Sequence, residues 1–151
     1  MKTILLNTKF QIILVLVSIL FISCDKEEVQ DAIDNMPDTE AQIVYSAKMI
    51  NPAGTASASD GKVVVTYRNN EGSNQNGTVG PGTVGHNSIL AYPLTFKLGQ
   101  AKKAILKVES NLFAKGWTIE AEITKGTKLG GIVSLKKQTL TADGEITVNI
   151  D

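Results

Sequence analysis

The chain reads as an all-β protein, a small antiparallel β-sandwich of about seven strands behind an N-terminal signal helix and an acidic tether. Three observations predict this. From residue 43 onward apolar and polar residues alternate with period two, as in strands with one buried face. Clusters rich in Gly, Pro, Asn and Asp separate the alternating runs. No window of the same region sustains a helical stripe.

The strands follow in order. Ile43, Tyr45, Ala47 and Met49 alternate with Val44, Ser46 and Lys48. Val63, Val65 and Tyr67 come after a Ser-Asp-Gly turn at 59–61. Leu90, Tyr92, Leu94, Phe96 and Leu98 share one face of the next run. Pro93 lies on its other face; proline cannot donate to a ladder, which predicts an edge strand. Ala104, Leu106 and Val108 form a fourth run. Trp117, Ile119, Ala121 and Ile123, alternating with Thr118, Glu120, Glu122 and Thr124, form the clearest. Val133 with Leu135, then Ile146, Val148 and Ile150, complete the set. Seven short strands in about 110 residues resemble an immunoglobulin-like sandwich. The chain lacks the paired cysteines of antibody domains, so the likeness is architectural and implies no function.

The longest stretch without alternation is Asn69–His86, with five Gly, four Asn and two apolar side chains, Val79 and Val84. It is expected to be a loop, with Pro81-Gly82 at the centre of a type II turn. Loops this long are uncommon in compact domains and tend to be functional or disordered, so this one is either a mobile contact surface or a tolerated insertion. The candidate contact residues are therefore Asn69, Asn70, Asn74, Asn76, Gly80, Pro81, Gly82 and His86.

The first forty residues have a different character. Lys2 and Lys9 precede Phe10–Ile22, thirteen residues that are apolar except for Gln11 and Ser18. As a helix they span about 20 Å, short of the roughly 30 Å of a bilayer core, which is the length of a signal-peptide h-region. The run ends at Leu20-Phe21-Ile22-Ser23-Cys24, and Cys24 is the chain's only cysteine. This resembles the lipobox of bacterial lipoproteins, with Ser23 at the small position and Phe21 where Leu is usual. The resemblance implies cleavage after residue 23 and a covalent lipid on Cys24, with no other cofactor. Two or more acyl chains hold a protein stably where one does not.

Asp25-Lys26-Glu27-Glu28 follows, and Lys26, Glu27 and Glu28 resemble the surface-export signal of Bacteroidota lipoproteins. That implies an outer-membrane protein facing the cell exterior. An Asp in the place of Asp25 marks inner-membrane retention in enterobacterial lipoproteins, the periplasm-facing alternative. Residues 25–40 hold seven carboxylates against Lys26, a net of −6. Val29, Ile33 and Met36 have helical spacing, enough for a turn or two that is marginal by itself. The expected organisation is a signal peptide at 1–23, a lipidated acidic tether at 24–42 and a sandwich at 43–151.

Residues 41–151 carry twelve Lys and Arg against eight Asp and Glu, scattered over several strands without the basic stripe of a nucleic-acid site. Gly80, Gly82 and Gly85 have dinucleotide-loop spacing but lack the strand before and the helix after that such a site needs. His86 is the only histidine and has no partner set for zinc or general-base chemistry. Glu109, Glu120, Glu122 and Glu145 could pair for glycoside hydrolysis only across a cleft. Asp60, Asp143 and Asp151 are too dispersed for calcium. Tyr45, Tyr67, Tyr92, Phe96 and Trp117 fall on apolar faces and belong to the core, leaving Phe113 in a connection.

The expectation is thus a lipid-anchored, non-enzymatic surface protein used in adhesion, assembly or ligand binding. Its partners are a membrane, reached through the anchor, and a surface protein or glycan. A carbohydrate-binding accessory lipoprotein and a small exported hydrolase are the alternatives.

Overall fold

The computed structural model describes residues 26–150 other than 55, 56 and 101, with side chains described from Gln30 onward. The expected signal helix and Cys24 lie outside the described residues. The described chain starts with a helix, α1 (Lys26–Asp34), followed by β1 (Glu40–Ile50), β2 (Ala58–Arg68), β3 (Asn74–Val84) and β4 (Ile89–Lys97). Then come β5 (Lys102–Ser110), a 3-10 turn (Phe113–Lys115), β6 (Thr118–Thr127), β7 (Gly131–Leu140) and β8 (Gly144–Ile150).

The strands form two four-stranded antiparallel sheets, ordered β4-β1-β6-β7 and β3-β2-β5-β8. The predicted all-β sandwich is what is seen. All seven expected strands are present, and β3 is the eighth. Immunoglobulin domains share the β2–β5 and β6–β7 neighbours, but here β1 lies between β4 and β6 instead of beside β2.

Alternation explains the layering. Along β1, Ala41, Ile43, Tyr45, Ala47 and Met49 are fully buried, and the residues between them are half-exposed. Ile43, Tyr45, Ala47 and Met49 pack in one core with Ile119, Ala121 and Ile123 of β6, and with Val63, Val65, Ala104, Leu106 and Val108 of the other sheet. Trp117 belongs to this core, 5% exposed, as its place in the β6 alternation predicts. Aromatic rings join the sheets: Tyr67 of β2 lies 5.5 Å from Tyr45 and stacks on Tyr92 of β4 at 4.5 Å. The Tyr45 hydroxyl donates to the Arg68 carbonyl at 2.8 Å. Burial holds the Tyr45, Tyr67 and Tyr92 phenols above their ordinary value.

The largest departure from expectation is Asn69–His86. It is not one loop. Asn69–Ser73 turns the chain, Asn74–Val84 pairs along β2, and Gly85–Ser88 turns it again. Pro81-Gly82 is not a type II turn: it lies inside β3 beside two irregularities in the β2–β3 register, and the positive φ falls on Gly80 (+82). A Cβ on Gly80 would meet the Gly61 carbonyl oxygen at 2.0 Å. The strand forms through backbone pairing at an exposed edge, so its side chains need no β propensity. Glycine is required there for a second reason. A Cβ on Gly77 would come within 1.7 Å of the Tyr92 hydroxyl and 2.1 Å of its ring carbon. Gly77→Ala should therefore displace Tyr92 from its stack on Tyr67 and cost about 1–3 kcal/mol, the range for overpacking. Urea unfolding of this variant measures it, and an unchanged midpoint would show that the ring moves aside freely.

Four strands lie at edges, and each carries a feature that resists further pairing. Pro93 sits on β4, confirming the edge that the sequence predicts, and Pro81 sits on β3. β7 carries Lys136, Lys137 and a register shift, and β8 has seven residues.

Candidate functional site

Antiparallel order gives the sandwich two distinct ends. β1 starts at one of them, where Glu40 faces Lys97 and Gln42 faces Gly126. The turns at 69–73 and 128–130 gather at this entry end, where β4 also ends and β5 begins. The connections at 85–88, 111–117 and 141–143 gather at the far end, where β1 ends and β2 begins.

The helix bears on the entry end. Residues 24–42 were expected to be a lipidated acidic tether with a marginal helical turn or two; within them Ile33 and Met36 are 1% and 6% exposed. The Ile33 side chain occupies the space a Cβ on Gly126 would need, 2.2 Å from that position. Gly126 pairs with Gln42, on the outer face of the β4-β1-β6-β7 sheet, so the end of α1 is seated there. The helical spacing of Ile33 and Met36 was legible; the glycine that receives Ile33, more than ninety residues later in the chain, was not.

At the same end, on the other sheet, is an open, shallow depression of about 200 Å³ lined by Arg68, the Asn69–Gly72 turn, Lys102 and Lys103. Three cations here face one carboxylate, Glu71. Lys102 Nζ donates to the Asn70 carbonyl at 2.6 Å and lies 5.6 Å from the Phe96 ring centre. Arg68 Nε is buried without a hydrogen-bond partner. Such a surface suits an anionic oxygen group, which charge-assisted hydrogen bonds would hold. Sequence reading named Asn69 and Asn70 of this lining but missed its cations, because Arg68 and Lys102 meet only through β2–β5 pairing.

The candidate contact residues separate between the two ends and the strand joining them. Asn69 Oδ1 accepts from the Glu71 and Ser73 amides at 3.1 and 2.8 Å and so builds its own turn. Asn70 Nδ2 donates to the Thr95 carbonyl at 3.3 Å. Asn74, Asn76, Gly80, Pro81 and Gly82 lie in β3, where Asn76 Oδ1 accepts from Thr66 Oγ1 at 2.8 Å. His86 is at the far end, and its Nδ1 accepts from the Asn51 amide at 3.0 Å. That bond places the ring proton of the neutral form on Nε2. Lys26, Glu27 and Glu28 open α1, and their side chains lie outside the description, as does Cys24.

No protein family matches the chain, and no curated protein does. Among the described residues no group of three or more His, Cys, Asp and Glu gathers as metal ligands. Among the same residues no helix is long and apolar enough to cross a membrane. Glu120 and Glu122 lie on the outer face of β6, and Glu120 sits 3.5 Å from Lys137. At the far end Lys115 pairs with Asp60 and holds its carboxyl below the ordinary range, first by a hydrogen bond and then by charge. Asn111 donates to the Asp60 carbonyl and accepts from the Lys62 amide, and Asp143 accepts from the Ser110 amide at 2.9 Å. Those bonds fix the 110–116 connection as a firm surface. Phe113 in it is half-buried against the core.

Proposed function

We propose that this chain is a lipid-anchored, non-enzymatic surface protein of the outer membrane. Its sandwich binds a protein or glycan partner through the far end. The observation that carries the reading is the apolar run Phe10–Ile22 ending on Ser23 and the chain's only cysteine, Cys24. A direction follows on this reading. The anchor joins the domain at the entry end, where Ile33 is seated on Gly126, so the turns at 85–88, 111–117 and 141–143 would point away from the membrane. Connections on a rigid sandwich are the usual place for contacts.

Surface display tests the address. Replacing Lys26, Glu27 and Glu28 by Ala should leave lipidation intact and hide the protein from protease added to whole cells. The unaltered protein should be degraded. Equal accessibility of both would refute the export signal, and an unaltered protein that is never accessible would place it facing the periplasm.

A further inference from the structure

The β6–β7 turn at the entry end has an unusual surface. Its three residues, 128–130, lie between the paired Thr127 and Gly131. The Gly130 amide donates to Thr127 Oγ1 at 3.0 Å, and Gly131 takes φ +63, so the turn has a fixed shape. At its apex Leu129 is 86% exposed, and just behind it Ile132 and Val133 are 44% and 49% exposed. Successive strand residues point to opposite faces. The hairpin tip therefore shows hydrocarbon on both faces and at its apex, beside Lys128. Leu129, Ile132 and Val133 thus make one small apolar projection instead of single scattered residues.

The same end supplies positive charge. Arg68 and Lys102 flank the depression on the other sheet, and Lys128 lies on the tip itself. Chain length ties this end to the anchor. Nine residues separate Cys24 from Ile33, and covalent and helical geometry limit that span to about 18 Å. Ile33 is in contact with Gly126, three residues from Leu129.

We infer that the entry end rests on a lipid surface, with Leu129 dipping among the headgroups and Arg68, Lys102 and Lys128 facing their phosphates. The inference rests on the lipid-anchor reading and adds an orientation to it. Apolar residues with basic flanks are the chemistry of interfacial binding. The leader's carboxylates oppose the charge attraction, so the apolar tip does the seating and added salt should weaken it little.

The test uses the full chain, matured in cells and reconstituted into vesicles of phosphatidylethanolamine and phosphatidylglycerol. Leu129→Cys carries a polarity-sensitive fluorophore, and Ala142→Cys at the far end serves as the control. Spin labels on the lipid headgroups should quench the probe at 129 several-fold more than the probe at 142, and the 129 emission should shift to the blue. Equal quenching overturns the proposed orientation. A blue shift at 129 without quenching also overturns it, because the tip is then covered by protein. The intact mass of the same sample separates the two readings. Missing acyl groups refute the anchor and this orientation together, while an acylated chain with equal quenching refutes the orientation alone.

Discussion

Trp117→Ala is expected to lower stability by about 3–5 kcal/mol, the range for removing a large buried aromatic. Trp117 is 5% exposed and packs with residues of both sheets in one core. Its backbone is fixed as well: Gly116 at φ +77 ends the 3-10 turn, and the Trp117 amide donates to the Leu112 carbonyl at 3.2 Å. The cavity left behind cannot collapse without moving strands from both layers. A domain of this size has a total stability of about 5–15 kcal/mol, so the variant should be largely unfolded at modest denaturant. With a urea slope of about 2 kcal/mol/M, the midpoint should fall by roughly 1.5–2.5 M. Circular dichroism is the suitable probe, because the substitution removes the only tryptophan. An unchanged midpoint would mean that the indole is not part of the core.

Cys24→Ala should abolish incorporation of labelled palmitate altogether. The thiol is the only atom in the lipobox resemblance to which the diacylglyceryl group can be joined. Each buried methylene contributes about 0.8 kcal/mol to membrane affinity, so the loss of whole acyl chains removes stable anchoring. The substitution leaves the sandwich alone, since a single cysteine makes no intrachain disulfide and Cys24 precedes β1 by sixteen residues. Loss of label with unchanged folding is therefore the expected pattern. Continued labelling of the variant would remove the lipoprotein reading.

How much of this was legible in the sequence depended on where burial is encoded. β6 was clear because Ile119, Ala121 and Ile123 alternate with polar neighbours, and that alternation is the sheet's two faces written along the chain. Pro93 marked β4 as an edge for an equally local reason. β3 was invisible. Its inward positions include Gly77, small because Tyr92 fills the space above it, and its backbone is held by β2. A strand specified by its neighbours leaves no hydrophobic period of its own. Strand order and the Arg68–Lys102 depression were hidden for the same reason, since both arise from pairing between distant segments. The seating of α1 was half legible: Ile33 and Met36 showed a helical face, and only the fold shows that Gly126 receives it.

Mass spectrometry of the amino-terminal peptide, taken from protein extracted from cell membranes, tests the central claim most directly. The anchored reading predicts a mature chain that begins at Cys24, with a diacylglyceryl thioether on its sulfur and an acyl group on its new amino terminus. A mature chain that begins at another residue, or a Cys24 whose thiol is free to react with an alkylating reagent, would contradict it.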